Sequence, residues 1–278
     1  MDATEDQAKR WNSTAGRAWV ESQELLDRVF KPIEALLVDA VISASPRAVL
    51  DVGCGTGGTT VAIARRLGDK TSCAGVDISE PMIEAARLRA AHDATPPTFI
   101  VADAQTYELE PARFDAICSR FGVMFFSDPV AAFANLRRAA RDDGRLRFIA
   151  WRGPADNPFM TTAERAARPL LDLPERKPDA PGQFAFASDR RVHAILEGSG
   201  WIDIEIRPSD VACAMRASDL VAYVSRLGPV GTALQEADEA TRTRVLEVVR
   251  PAFDSYVHEG EVRFAAACWM VTAVCRRH

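Results

Sequence analysis

A glycine-rich turn after a short apolar run gives the first chemical clue in this sequence. The run reads VLDV and continues as GCGTGG, in which Gly53, Gly55 and Gly57 alternate with Cys54 and a threonine. Glycines in such a turn let backbone N–H groups approach a ligand closely. Because Gly53, Gly55 and Gly58 also fit the dinucleotide pattern G-x-G-x-x-G, the loop alone leaves two ligand classes open.

An acid immediately before the loop favours one of these classes. Asp51 stands two positions ahead of Gly53. A carboxylate at this place repels a pyrophosphate and attracts an amino group, such as that of a methionine moiety, directly or through water. The sequence therefore favours a ligand that brings a positive charge to the glycine loop.

Two further acids follow the next two predicted strands. Asp77 ends the run SCAGVD, and Asp103 follows TFIVA. Open parallel sheets bind ligands beyond the carboxyl ends of their strands, so these acids and Asp51 should face one cleft. Asp77 is placed to accept hydrogen bonds from two ribose hydroxyls, which also fits a dinucleotide, and Asp103 from an adenine amine. Ile78 and Met82 are expected to sandwich the adenine. The alternative is structural, since Asp is also common in helix caps and turns.

The elements that must position these acids form an α/β pattern. Short β-branched runs alternate with Ala-, Leu- and Arg-rich stretches of helical period, as in βα units on a parallel sheet. The predicted strands are Ala48–Val52, Ser72–Val76, Thr98–Val101, Phe114–Ser119, Arg145–Ala150, Trp201–Arg207 and Phe264–Cys275. The predicted helices between the first five strands are Thr59–Leu67, Glu80–Ala91 and Pro129–Ala140.

Additional segments surround this core. We expect a helical arm or cover over 1–46, a cofactor-binding core over 47–151, a lid insertion over 152–188, and the rest of the core over 189–278 with a helical insertion at about 218–256. A long irregular segment such as 152–188 is uncommon unless it forms a lid or is disordered. We expect the lid and the late insertion to determine which substrate binds, because loops vary among proteins of one fold while the sheet is retained.

Composition excludes several kinds of protein. The chain has 278 residues, 47% of them hydrophobic, and a formal net charge of -5, which argues against a nucleic-acid partner. It contains no apolar run long enough to cross a bilayer, and its polar start is unlike a secretory signal, so we expect a cytoplasmic protein. Its six cysteines lack a CxxC pair, so neither disulfides nor a metal site are expected.

Four motifs together resemble those of class I S-adenosylmethionine-dependent methyltransferases. They are VLDVGCGTGG, VDIS, VADAQ and FDAICSRFGVMFFSDP, in the family's order and spacing over about 47–151. The resemblance implies a Rossmann-like, doubly wound, seven-stranded sheet, mostly parallel with its last strand antiparallel. It also implies S-adenosylmethionine as cofactor and S-adenosylhomocysteine as product. The arm and the segment around FGVMFF are similar, more narrowly, to small-molecule enzymes related to the ubiquinone and menaquinone C-methyltransferases.

The resemblance also suggests roles for residues outside the glycine loop. Ala104 belongs to the adenine-binding turn, and Ser119 and Arg120 would pass beside the methionine part of the cofactor. Trp11 is a candidate to close over the sulfonium through a cation–π attraction. The expected lining of the acceptor pocket is Phe121, Met124, Trp151 and Trp19. Core packing is the competing interpretation for these apolar side chains.

A small apolar or aromatic acceptor is the expected partner, and a homodimer stays open. Methyl transfer from a sulfonium needs little acid–base chemistry, so no catalytic residue is assigned. His258 and His193 are only candidates for a base, needed if the acceptor must lose a proton. Two alternatives remain: an NAD-dependent oxidoreductase, and a protein that binds S-adenosylmethionine without methylating anything.

Overall fold

One mixed sheet organises the computed structural model, which describes residues 3–177 and 179–277. Its strands are β1 (Ala48–Val52), β2 (Ser72–Asp77), β3 (Thr98–Val101), β4 (Phe114–Arg120), β5 (Ala140–Trp151), β6 (Ile202–Arg216), β7 (Val257–His258) and β8 (Glu261–Val274). Their order across the sheet is β3-β2-β1-β4-β5-β8-β6, with β7 paired to β8. β1 to β5 are mutually parallel, and β8 is antiparallel to β5 and β6. The predicted fold class is therefore confirmed, with the two-residue β7 as an addition.

The sixth strand is much longer than the sequence suggested. It was expected to end at Arg207, yet β6 pairs with β8 as far as Arg216. Pro208 and the polar residues directly after it interrupt the strand pattern in the sequence. A proline argues against a strand because it cannot donate a hydrogen bond to the sheet. β6 lies at the edge of the sheet, where a proline is tolerated.

Helices flank this sheet. They are α1 (Ala3–Trp11), α2 (Thr14–Glu21), α3 (Gln23–Val29), α4 (Lys31–Ile42), α5 (Gly58–Leu67), α6 (Glu80–Ala90), α7 (Pro129–Ala139), α8 (Pro158–Ala167), α9 (Asp189–Gly198), α10 (Leu220–Arg226), α11 (Gly228–Glu236) and α12 (Glu239–Val249). Helix α5 packs against α4 and α6, whereas α7 packs against α9. β1 is buried along its whole length, as a central parallel strand should be.

The expected helical arm consists of four helices, α1 to α4. Its start is fastened to the loop before α6 by Asn12, whose side-chain amide donates to the Ile78 carbonyl at 3.0 Å and accepts from the Glu80 N–H at 2.8 Å. The Ser79 hydroxyl donates to the Trp11 carbonyl at 2.7 Å. The arm is therefore held against the same loop that follows Asp77.

Two later segments complete the cover over the sheet. The irregular stretch after α8 is tied to the turn after β4, since the Gly182 N–H donates to the Met124 carbonyl at 3.0 Å. The late insertion consists of α10, α11 and α12 with short 3₁₀ turns at both ends. Within the described ranges, no helix is both long and apolar enough to cross a membrane.

Candidate functional site

A cavity of about 920 Å³ lies beyond the carboxyl ends of the central strands. The sheet, the arm, the segment after α8 and the late insertion all contribute to its walls. Its volume is near the top of the usual range for small-molecule sites. It brings together most of the predicted site residues: Trp11, Trp19, Asp51, Gly53, Cys54, Gly55, Asp77, Ile78, Met82, Asp103, Ala104, Arg120, Phe121, Met124 and Trp151.

The glycine loop is shaped by close backbone approach. Gly53 and Gly55 have φ angles of 65° and 54°, a region that L side chains rarely adopt. A methyl group placed on Gly53 would lie 2.6 Å from the Cα of Gly122, in the turn after β4. Gly57, expected to contact the cofactor, does not line the cavity; a methyl group there would meet Ala86 and Phe99 at 2.9 Å. Because Gly57 has no side chain, the start of α5 can pack closely against Ala86 of α6 and Phe99 of β3.

Asp77 connects the glycine loop with the loop after β2. One carboxylate oxygen accepts from the Gly55 N–H at 2.8 Å, and the other from the Ser79 N–H at 2.9 Å. Burial raises the pKa of Asp77, and these hydrogen bonds act in the opposite direction. Each oxygen keeps a second lone pair, so the carboxylate can still accept hydrogen bonds from a diol.

Asp51 is the most deeply buried acid in the cavity wall. It is only 1% exposed, and its carboxylate accepts a 2.6 Å hydrogen bond from the Thr60 hydroxyl. Burial raises its pKa to about 6, while Thr60 and the nearby Arg120 guanidinium lower it. Arg120 is positioned by a 3.0 Å hydrogen bond to Thr59. This end of the cavity thus presents one anionic and one cationic group, as an amino acid moiety requires.

Asp103 lies in a tight turn that follows β3. One carboxylate oxygen accepts from the Gln105 N–H at 2.9 Å, so the residue is a turn former as well as part of the cavity wall. Ala104 is fixed by its carbonyl, which accepts from the Asn135 side chain at 2.9 Å. Both the structural and the ligand-binding interpretation of Asp103 agree with this geometry.

Aromatic side chains form two contact groups in the cavity wall. The Phe121 and Trp151 rings are stacked, with centroids 4.5 Å apart and planes 5° from parallel. Phe30, from the start of α4, meets both rings edge-on at about 6 Å. On the arm side, Trp11 lies between Trp19 at 5.9 Å and Phe125 at 5.2 Å. The predicted aromatic lining is therefore assembled from the arm and the ends of β4 and β5.

Besides Gly57, three predicted residues lie outside the cavity wall. Ser119 is fully buried; its hydroxyl donates to the Val52 carbonyl at 2.7 Å and accepts from the N–H groups of Gly122 and Val123. It holds the turn after β4 and does not line the cavity. His193 lies on α9 with its side chain 52% exposed, and His258 is exposed on β7. Neither histidine lines the cavity.

Sequence reasoning missed several cavity residues. Asp27, from the arm, lines the cavity near the N-terminus of α5, where a methyl group on Gly58 would lie 3.2 Å from its carboxylate, and it is paired with Arg89 at 2.7 Å. Glu34, paired with Lys31, lies close behind Gly58 but does not line the cavity. Glu164 and Tyr223, from α8 and α10, also line the cavity. No local motif marks these residues, because only tertiary packing brings them to the cavity. No cluster of potential metal ligands occurs in the described ranges.

Comparison with known proteins separates the ligand classes that the glycine loop left open. Residues 49–144 match a family described as a methyltransferase domain. These residues form a methyltransferase domain. This methyltransferase domain contains the glycine loop, Asp77 and Asp103, whereas Trp11, Trp151 and Tyr223 lie outside the matched residues.

Curated relatives agree with this assignment, and a solved structure shares the fold. The chain is 30% identical to nocamycin O-methyltransferase of Saccharothrix syringae over 69% of its own length and 65% of the relative's. It is 31% identical to aklanonic acid methyltransferase of a Streptomyces species over 48% of its own length and 62% of the relative's. The alignments thus cover less than two thirds of these relatives. In fold it resembles a Haemonchus contortus phosphoethanolamine N-methyltransferase solved with S-adenosylhomocysteine, with TM-score 0.53, 18% identity, and coverage of 88% of this chain and 52% of that one.

Proposed function

We propose that this protein transfers the methyl group of S-adenosylmethionine to an oxygen atom of a small, apolar or aromatic acceptor. The observation that carries the proposal is the carboxylate beside the glycine loop. Asp51 is buried in the cavity wall, whereas Asp27, which also lines the cavity near Gly58, is paired with Arg89 at 2.7 Å. A dinucleotide places its pyrophosphate at this helix N-terminus, where the Asp51 carboxylate would repel it. A ligand with an ammonium group and a sulfonium is attracted there instead.

The cavity offers a partner for each part of that ligand. Asp77 would hold the ribose hydroxyls and Asp103 the adenine amine, with Ile78 and Met82 beside the ring. Asp51 and Arg120 would hold the ammonium and carboxylate of the methionine part. All of these groups belong to one chain, so the proposed reaction needs no second copy. The oxygen acceptor is favoured by the name of one relative, an O-methyltransferase.

The protein's own contribution to the reaction is mainly positional. Bound S-adenosylmethionine supplies a methyl group that its sulfonium already activates. Asp51 and Asp77 orient the donor, and the stack of Phe121 and Trp151 limits how an acceptor can approach. Trp11 and Trp19 of the arm exclude water from the donor side. Holding two reactants in near-attack geometry can account for much of the rate without a base.

Calorimetric titration tests the cofactor. We expect S-adenosylmethionine and S-adenosylhomocysteine to bind the purified protein and NADH not to bind. Asp77→Ala should weaken both at least tenfold, since it removes hydrogen bonds to an ionised group. Asp69→Ala, an exposed aspartate outside the cavity, is the matched control and should bind like the unmodified protein. Binding of NADH alone would replace this proposal with the oxidoreductase alternative.

A second measurement separates methylation from binding alone. The protein is incubated with S-adenosylmethionine and a panel of phenols and carboxylic acids, and S-adenosylhomocysteine is quantified by mass spectrometry. We expect release of S-adenosylhomocysteine that depends on one acceptor class. Tight cofactor binding with no acceptor-dependent release would favour a protein that binds the cofactor without using it.

A further inference from the structure

A further aromatic group lies where α8 packs against the late insertion. The Phe159 ring of α8 meets the Phe253 ring edge-on at 5.2 Å and lies beside the Tyr223 ring of α10, with centroids 6.0 Å apart. All three residues line the cavity. None of them belongs to residues 49–144, which match the methyltransferase domain. This group is therefore a part of the cavity that the chain adds to the domain.

Tyr223 is the member of this group that a ligand can reach most easily. Phe159 and Phe253 are only 3% and 1% exposed. On its other side, the Phe159 ring stacks on Phe264 of β8, with centroids 3.8 Å apart, so packing closes that side of the group. Tyr223 keeps part of its surface exposed. The two phenylalanines thus support the tyrosine ring in the cavity wall.

The hydroxyl of Tyr223 has a poor hydrogen-bond partner. Among residues 3–177 and 179–277, it bonds only to the Met160 sulfur, at 3.5 Å, and Met160 also lines the cavity. A thioether is a weak acceptor, whereas a tyrosine hydroxyl in an apolar site usually has a strong one. Glu164, one turn further along α8, accepts from Arg176 instead. The O–H group is therefore able to turn toward a better acceptor that enters the cavity.

Tyr223 can donate a proton in a hydrogen bond, but it is unsuited to act as a base. Burial raises the pKa of its hydroxyl above the ordinary value for tyrosine. The phenol therefore stays protonated at neutral pH. A protonated phenol that is bonded only to sulfur gains most from a ligand oxygen with a free lone pair.

We propose that Tyr223 determines acceptor specificity by donating a hydrogen bond to a carbonyl oxygen of an apolar or aromatic acceptor. This inference rests on the proposed function and deepens it by naming the acceptor's functional group and the residue that binds it. A carbonyl suits a neutral donor among aromatic rings, because it accepts without bringing a charge or a proton that needs its own partner. The carbonyl anchors the acceptor and is not the atom that is methylated.

Two aromatic ligands that differ in one group test this hydrogen bond. 2-Acetylnaphthalene has a carbonyl oxygen where 2-isopropenylnaphthalene has a CH₂ group of similar size. The dissociation constants of both are measured by equilibrium dialysis on the complex with S-adenosylhomocysteine. Their ratio is compared between protein variants, because this comparison cancels the difference in hydrophobicity of the two ligands. We expect Tyr223→Phe to shift the ratio roughly fivefold against the ketone, the value of one neutral hydrogen bond.

Tyr256→Phe is the matched control. Tyr256 meets the Phe159 ring edge-on at 5.2 Å, within the same aromatic group, but it does not line the cavity. Removing its hydroxyl should leave the ratio of the two dissociation constants unchanged. The competing explanation is that Tyr223 only packs against its neighbours. Because phenylalanine keeps the ring, Tyr223→Phe would then leave the ratio unchanged as well, and the inference would be wrong.

The affinity for S-adenosylhomocysteine separates failure of this inference from failure of the proposed function. We expect the same affinity in the unmodified protein and in both variants. If the unmodified protein does not bind S-adenosylhomocysteine, the proposed function fails. If it does bind, but neither naphthalene binds to the complex, or both variants shift the ratio equally, the carbonyl subsite at Tyr223 is wrong.

Discussion

The Thr60 hydroxyl donates a 2.6 Å hydrogen bond to the carboxylate of Asp51, which places the first turn of α5 in direct contact with the end of β1. This contact and the Arg120 charge favour the ionised carboxylate, whereas burial and the charges of Asp77 and Glu34 oppose it. Burial dominates, and the pKa of Asp51 rises to about 6. The carboxyl group of Asp51 therefore gains or loses its proton at a pH close to the physiological value.

The free energy of unfolding should depend on pH because of this buried acid. The pKa of Asp51 is about 6 in the folded protein against an ordinary 3.8, so protonation favours folding. Its stabilising contribution is complete below pH 3.8 and is lost as the pH rises through about 6. At pH 8, Asp51→Asn should therefore raise the free energy of unfolding by up to about 3 kcal/mol, a gain that shrinks toward pH 4. Urea denaturation of both proteins across this range provides the measurement. A difference that does not change with pH would contradict it.

Cofactor affinity should also depend on the ionisation of Asp51, but here the charged form is the favourable one. Only the charged Asp51 attracts an ammonium group, so the dissociation constant of S-adenosylhomocysteine should fall as the pH rises from 5 to 7. Asp51→Asn should bind roughly tenfold more weakly at pH 7, the value of one charge-assisted hydrogen bond, and should lack the pH dependence. Calorimetry at several pH values measures both effects. An equally steep pH profile in the variant would assign the dependence to another group.

The attachment of the arm through Asn12 should also control cofactor binding. Asn12 bonds to the backbone of Ile78 and Glu80, on either side of the loop that follows Asp77. Asn12→Ala should loosen the arm and weaken S-adenosylhomocysteine binding about fivefold to tenfold, because two hydrogen bonds of the docked state are lost. Limited proteolysis should then cut the arm faster, with protection by the cofactor. Ser13→Ala, which removes only a local bond to the Arg10 carbonyl, is the control. Equal sensitivity of the two variants would show that Asn12 has no special role.

The parts of the molecule that could be predicted from sequence are those with local signals. The glycines, Asp51, Asp77 and Asp103 follow strand ends, and parallel topology alone brings strand ends to one edge of a sheet. The bounds of β1 and β3 were also predicted, because apolar β-branched runs mark them.

The rest depends on tertiary contacts that no local pattern contains. Glu164 of α8 and Tyr223 of α10 are far apart in the sequence, and only the folded chain brings both to the wall of one cavity. A position next to a cavity residue in the sequence is not enough to predict a role in binding. Ser119 directly precedes Arg120, yet its hydroxyl donates to the Val52 carbonyl and stabilises the turn. His258 and His193 were chosen by residue type, which says nothing about distance from a cavity.

Phe121 adopts a backbone conformation that its residue type disfavours. Its φ is 68°, and its N–H donates to the Ile149 carbonyl at 3.0 Å. A positive φ in a bulky residue costs on the order of 1 kcal/mol or more, and such strain clusters at functional sites. Here the strain turns the ring onto Trp151, where the two planes stack. The sequence thus keeps an unfavourable backbone in exchange for an aromatic surface in the cavity.

Two variants at Phe121 separate the strain from the ring. Phe121→Ala loses the stacked ring but keeps the strain, so it should be destabilised by roughly 2–4 kcal/mol. Phe121→Gly loses the same ring yet tolerates a positive φ, and should be about 1 kcal/mol more stable than the alanine variant, reversing the usual order. Urea denaturation measures both. Phe125, in the neighbouring 3₁₀ turn, serves as the control, since there alanine should be the more stable of the two. If glycine is the less stable variant at position 121 as well, the backbone of Phe121 is not strained, and its ring needs no functional explanation.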